Sequence, residues 1–219
     1  MIYAIGDIHG MYDKLMSLMG KVKIDFEKDY LIFLGDYIDR GEKSIECLKY
    51  VKELTEKYSN VIALMGNHED MMINFYKGLD NTWTYNGFDT TKKQLDKLPR
   101  GEFDELIEWV ENLPLWYRIG KYIFVHAGIN PFYGLDKQIK EDLLWIRESF
   151  FANYEGEDII VVGHTSTQCL EEDYNKPLIL KNNIYMLDTG SYRYKGKITC
   201  FNIETKKYIQ DDIEEDYDE

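Results

Sequence analysis

The sequence has no Cys-x-x-Cys pair and only three cysteines, the widely separated Cys47, Cys169 and Cys200. An odd, scattered set excludes a disulfide framework and a cysteine zinc site, and leaves ordinary core thiols as the expectation. Long apolar runs are missing too: Tyr122 to Val125 and Ile159 to Val162 fall far short of the roughly 20 residues of a membrane helix. The opening Met1-Ile2-Tyr3-Ala4-Ile5 lacks the basic and long apolar regions of a signal peptide and reads as a strand, so a cytoplasmic chain without a membrane partner is expected. Positive charge is in deficit. With 26 Lys and Arg against 40 Asp and Glu, the formal charge of -14 opposes nonspecific binding to nucleic-acid duplexes or anionic lipid and favours cations. No repeat, low-complexity linker or shift in composition divides the chain. One domain over 1–210 is expected, followed by an acidic tail, 211–219, too polar and self-repelling to pack.

What is present begins with short apolar runs, largely β-branched or aromatic, at Ile2 to Ile5, Leu31 to Leu34, Val61 to Met65, Tyr122 to Val125 and Ile159 to Val162. Each meets glycine or a polar residue at once, which marks buried strands. Helical spacing separates the first three, at Leu15, Leu18, Met19 and Val22, then at Ile45, Leu48, Val51 and Leu54. Alternating strands and helices imply parallel pairing and an α/β fold. A helical, aromatic stretch over 74–114 is read as a cap-like insertion, with packing against a sheet face as the equal alternative. After Lys176 the runs shorten to Leu178–Leu180, Ile184–Leu187, Ile198–Ile203 and Lys207–Ile209, joined by turns such as Asn182-Asn183 and Lys195-Gly196, which predicts an antiparallel ending.

Each of the five main strands runs into a possible metal ligand: Asp7 with His9, Asp36 with Asp39, Asn67 with His68, His126, and His164. The carboxyl ends of strands in an open α/β sheet converge on one crevice, so ligands distant in sequence meet there. The chain has four histidines in all, and every one lies just past an apolar strand. A set of carboxylates, imidazoles and an amide oxygen suits Mn²⁺, Fe or Zn²⁺ better than the all-oxygen shells of Ca²⁺ and Mg²⁺. If one carboxylate bridges two ions, the pair clamps attacking and leaving oxygens of a phosphoryl transfer, and Asp36 is the candidate bridge.

Gly6-Asp7-Ile8-His9-Gly10, Gly35-Asp36-Tyr37-Ile38-Asp39-Arg40-Gly41 and Gly66-Asn67-His68-Glu69 resemble the successive signatures of the calcineurin-like metallophosphoesterases. Within that superfamily they resemble the phosphoprotein phosphatase branch and the related diadenosine tetraphosphatases. Val125-His126-Ala127-Gly128 and Gly163-His164-Thr165 resemble the remaining metal motifs, so the likeness runs from residue 3 to about residue 200. It implies a layered α/β/β/α sandwich of mixed sheets with the site at the strand ends. It also implies that Asp7, His9 and Asp36 hold one ion, with Mn²⁺ expected first, while Asp36, Asn67, His126 and His164 hold a second. His68 would be the general acid, oriented by Asp39, and Arg40, Arg147 and Asn67 would bind phosphate, with attack by a hydroxide that bridges the ions. One departure is Met65, where many relatives carry arginine or lysine before Gly-Asn-His-Glu.

The resulting expectation is a hydrolase of phosphate monoesters, first of all a serine/threonine protein phosphatase with a phosphorylated protein or small phosphate ester as substrate. The alternative is cleavage of dinucleoside polyphosphates, and a remote one is an inactive metal-binding scaffold. Asp188-Thr189-Gly190 invites an aspartic-protease reading, but it occurs once and that chemistry needs two facing aspartates. A turn at the edge of the site is expected there instead.

Overall fold

The computed structural model describes residues 1–80, 82–170 and 174–214. In chain order the elements are β1 (Ile2–Ile5), α1 (Tyr12–Lys21), β2 (Tyr30–Phe33), α2 (Ser44–Lys57), β3 (Val61–Ala63), α3 (Asn67–Tyr76), α4 (Phe88–Leu95) and α5 (Arg100–Glu111). There follow β4 (Trp116–Ile119), β5 (Tyr122–Val125), α6 (Lys140–Trp145), α7 (Glu148–Asn153), β6 (Ile159–Val162), β7 (Leu178–Ile179), β8 (Ile184–Met186), β9 (Thr199–Asn202) and β10 (Tyr208–Gln210). The strands form two five-stranded mixed sheets, ordered β10-β9-β1-β2-β3 and β4-β5-β6-β8-β7.

Strand alternation decides the layering. Side chains point to opposite faces at successive positions, and both faces of the central strands are apolar. From the first sheet, Ala4, Ile32, Leu34 and Phe201 meet Phe124, Ile159, Val161 and Tyr185 of the second in one buried cluster. The opposite parity, Ile5, Leu31, Phe33 and Val61, packs under Leu15 and Leu18 of α1 and Ile45, Leu48 and Val51 of α2. On the far side Ile160 and Val162 pack against Leu143 of α6 and Phe150 of α7. The order helix, sheet, sheet, helix follows, and each fully buried aliphatic or aromatic side chain contributes roughly 2 kcal/mol.

The segment 74–114 joins the helical layer on the first sheet: Trp83, Leu95, Leu106 and Val110 share a cluster with Phe33, Leu48 and Met72. Two expectations about the chain's second half need correction. β8 runs parallel to β6, and β9 pairs antiparallel with β1 in the other sheet, so Lys195-Gly196 lies in a crossing between sheets and closes no hairpin. Among the late strands themselves, β7 pairs antiparallel with β8 and β9 with β10. Trp116–Ile119, not expected as a strand, pairs antiparallel with β5 across the turn at Gly120-Lys121. Packing also continues past residue 210. Asp211 is buried and its carboxylate accepts the Ile198 N–H at 2.6 Å, while 215–219 lie outside the described residues. Among the described residues no helix is long and apolar enough to cross a membrane.

Candidate active site

β1, β2 and β3 of the first sheet and β5 and β6 of the second end on a common crevice of about 210 Å³ lined by His9, Asp36, Asn67, His68 and His164, among others. The loops that bring these side chains inward are backbone-strained. His9 (φ 49°), Asp36 (54°), Asp39 (70°), Arg40 (70°) and His164 (60°) all occupy the left-handed region. Non-glycine residues enter it at a cost, and persist there when surrounding structure over-determines them. Close approach adds a second requirement at two glycines. A Cβ on Gly66 would lie 2.2 Å from Asp36 Oδ1, and one on Gly163 would lie 2.1 Å from Asp7 Oδ1.

Asp36 stands at the centre. Its carboxylate is 3.5 Å from His9 Nε2, 4.0 Å from His68 Nε2 and 3.4 Å from His126 Nε2. Two cation-type clusters result, His9 with Asp36 and His68, and Asp36 with His126 and His164. Asp7 joins at the edge, 3.9 Å from His9 Nε2, and its two oxygens accept the His164 N–H at 3.1 Å. Asn67 Oδ1 lies 2.8 Å from His126 Nε2 and 3.0 Å from His164 Nδ1.

The donor chemistry fits a cation. A backbone carbonyl only accepts, so the ring nitrogens facing Ile38 O (His9 Nδ1, 2.9 Å) and Leu34 O (His126 Nδ1, 2.8 Å) carry the proton. In neutral rings Nε2 is then a lone pair turned toward the oxygens of Asp36 and Asn67. Acceptors so gathered repel one another unless positive charge lies among them. His164 Nε2 is also buried with no hydrogen-bond partner among the described residues. Burial pushes His9 down to about 3, with the His68 charge adding to it, and burial with His126 likewise lowers His164. Both rings are therefore kept in the neutral, ligating form. Burial and the charge of Asp188 and Asp36 raise Asp7, as expected where carboxylates crowd without a cation.

His68 differs from the other three in its carboxylate partner, for its Nδ1 lies 2.6 Å from Asp39 Oδ2. Although burial disfavours its charge, Asp36 and Asp39 outweigh that and raise its pKa, as Asp36 also does for the buried His126. Asp39 is fully buried and is held from the 74–114 segment: Trp83 Nε1 donates to Oδ2 at 2.7 Å and Thr91 Oγ1 to Oδ1 at 2.6 Å. The tryptophan is a core side chain with a polar duty.

Arg40 and Arg147 are exposed and line the crevice. Arg147 sits between α6 and α7 rather than within a helix, and its guanidinium donates to His164 O at 3.2 Å and Thr165 Oγ1 at 2.9 Å. Every site residue named from the sequence thus comes to one place. Reading the sequence left Glu69, Tyr192 and Arg193 without a site role, and gave Asp188 only a turn at the site's edge. Glu69, fully buried, accepts the N–H groups of Asp36, Tyr37, Ile38 and Gly66 at 2.8 to 3.3 Å; its place in Gly-Asn-His-Glu was the available signal. Asp188, Tyr192 and Arg193 line the crevice on the turn that Asp188-Thr189-Gly190 marks in the sequence. Cys169, expected in the core, is exposed and lines the crevice instead.

Two stacked sheets with carboxylates, imidazoles and an amide facing each other at their strand ends define a protein built to hold metal ions beside a polar, arginine-edged crevice. The calcineurin-like phosphoesterase model matches residues 1–190, and the chain belongs to that family. Its curated relatives include the symmetrical bis(5'-nucleosyl)-tetraphosphatases of Actinobacillus succinogenes, 38% identical over 132 residues (59% of this chain, 44% of that one), and of Methylococcus capsulatus, 35% identical over 130 residues (59% and 44%). The matched region therefore spans less than half the length of these relatives. Among solved structures, a candidate diadenosine tetraphosphatase superposes with a TM-score of 0.75 at 19% identity, covering 95% of this chain and 91% of that one. A protein serine/threonine phosphatase from Saccharomyces cerevisiae gives 0.70 at 19%, covering 99% and 81%. At such identities the structural likeness establishes the fold alone.

Proposed function

We propose that the protein is a metal-dependent phosphohydrolase whose substrate is a dinucleoside tetraphosphate, cleaved to two nucleoside diphosphates. The observation that carries the chemistry is the meeting of His9, His126 and His164 around Asp36, beside a buried His68–Asp39 pair. The substrate reading is supported by the curated relatives named as tetraphosphatases, which favour it over the phosphoprotein expected first from the motifs.

In this reading Asp7, His9 and Asp36 hold one ion, and Asp36, Asn67, His126 and His164 the other. Such ions acidify water and offset charge on phosphate oxygens; Mn²⁺ suits this donor set, with Fe or Zn²⁺ as substitutes. The chain's own groups do the rest. His68 Nε2 faces the crevice and donates its proton to the departing oxygen, while Asp39 fixes the ring and supports its charge. Arg40 and Arg147 offer forked N–H donors that match phosphate oxygens, and the Asn67 amide orients the same group. The 74–114 segment acts here as a buttress for Asp39 within a single domain.

The test is a Mn²⁺-supplemented panel of diadenosine tetraphosphate, a phosphoserine peptide and p-nitrophenyl phosphate. Release of adenosine diphosphate as the main product, faster than phosphate from the peptide, is expected. Phosphate from the peptide with the dinucleotide left intact would replace this reading by the phosphoprotein one.

A further inference from the structure

A second crevice, of about 500 Å³, adjoins the first, and Arg40 and Tyr192 line both. Its size falls within the range of small-ligand pockets. We propose that it is a nucleotide arm of the site, holding the nucleoside of the departing half of the substrate; this rests on the dinucleotide reading given above.

The direction comes from the rings. His68 lies edge-on to His9 at 4.7 Å between centroids, and His9 edge-on to Tyr192 at 4.9 Å. The three rings thus run in sequence from the proton donor to the neck of this crevice, the side on which the proposal places the departing half. Charge along the path changes as a nucleotide's does. Arg40 stands at the neck, its guanidinium 5.4 Å from the centroid of the Tyr192 ring, where phosphates pass. Beyond it the crevice is walled by Met11, Tyr12 and Ile213. Of the other charges that line it, Lys43 pairs with Asp13, the buried Lys14 ammonium donates to Ser191 O at 2.7 Å and Gly196 O at 3.2 Å, and the exposed Glu42 stands at the solvent side. Those Lys14 bonds tie α1 to the loop that carries Tyr192, so the two aromatic walls keep a fixed gap. A wall of tyrosine and aliphatic side chains behind an arginine suits a base and ribose behind phosphate.

The experiment is calorimetric titration of the Mn²⁺-loaded protein with adenosine diphosphate and, separately, with pyrophosphate, which has the phosphates without the nucleoside. The wild type should bind adenosine diphosphate more tightly than pyrophosphate. Tyr12→Ala should reduce that preference roughly tenfold, the scale of one lost base–aromatic contact, with pyrophosphate affinity retained as the sign of an intact fold. Ile213→Trp, which adds bulk at another residue lining the crevice, should do the same. Equal affinity of the wild type for both ligands, or a preference that survives both variants, would overturn the proposal. If diadenosine tetraphosphate is left intact while both variants lose the preference, the substrate reading fails and the nucleotide arm stands.

Discussion

In the first sheet the loops that carry the site are stitched to one another. Ile8 and His9 donate their N–H groups to Asp36 O, Gly10 donates to Tyr37 O and Gly41 to His9 O, while four N–H groups from two loops converge on Glu69. In the second sheet His126 and His164 each follow a single strand, and both are oriented by the first sheet, through Leu34 O and the Asp7 carboxylate. One half is thus a self-supporting frame, and the other docks ligands onto it. Damage in the frame should reach every part of the site, whereas damage in the second half should stay local.

The largest effect is expected at Asp36, the residue shared by both clusters. Asp36→Asn should abolish turnover and leave almost no bound Mn²⁺ after gel filtration, whereas His164→Ala should leave about one ion per chain, because only the cluster it belongs to is broken. Metal content measured on both variants decides this. Equal losses would show that the halves do not differ as described.

Next comes His68→Asn, which leaves the frame in place and removes a proton donor. Turnover on an alkyl phosphate should fall by about 10² or more, the ordinary scale of general acid catalysis, with Mn²⁺ content unchanged. The loss should be smaller on p-nitrophenyl phosphate, whose leaving group needs little help. Equal losses on both substrates would assign His68 to metal binding.

Glu69 tests the frame itself. Glu69→Gln places an amide against four N–H donors and should cost about 2 kcal/mol in urea unfolding, the scale of a buried unsatisfied polar group. The same carboxylate predicts a pH slope for the metal-free protein. Burial and the charge of Asp36 push Glu69 up to about 7, and burial and Asp36 likewise push Asp188 up to about 6. The fold then holds protons that the unfolded chain, with ordinary carboxylates, has released, so stability is gained as pH falls from 8 to about 6.5 and lost as it rises. Further acid meets His9, lowered to about 3, and the lowered His164; both oppose the trend once unfolded imidazoles begin to charge. The raised Asp7, His68 and His126 act with the carboxylates, so melting temperature after chelation should rise as pH falls from 8 to about 6.5, and Glu69→Gln should flatten that rise.

How much of this the chain displays openly follows from the range of each interaction. The ligands were legible because they sit beside glycines on short motifs just past apolar strands, and the strands because four or five apolar residues in a row have few alternatives. β4 was not, since Trp116-Tyr117-Arg118-Ile119 alternates exposed and half-buried residues and is stabilised by pairing with β5. The assignment of strands to two sheets was not legible in the late runs, because β8 and β9 are both short and buried while their partners lie far away in sequence. Glu69 and Trp83 were visible as residues but not as roles. A carboxylate that gathers backbone N–H groups, or an indole that is both core and donor, declares itself only once distant loops meet.

Trp83 gives the smallest and most discriminating test of the frame. The ring is fully buried and lies edge-on to Phe75 and Phe88 at centroid distances of 5.5 and 4.8 Å, so removing it outright would confound packing with polarity. Trp83→Phe keeps an aromatic ring and deletes the Nε1–H that donates to Asp39. Asp39 still has Thr91 and His68, so the polar loss should be about 1 kcal/mol of stability. Because Asp39 orients the proton donor, kcat on an alkyl phosphate should fall a few-fold with KM unchanged, whereas a purely structural role would lower the melting temperature and leave kcat alone. Adding Trp83→Phe to His68→Asn should then cost stability but no further rate, since the group that Asp39 orients is already gone.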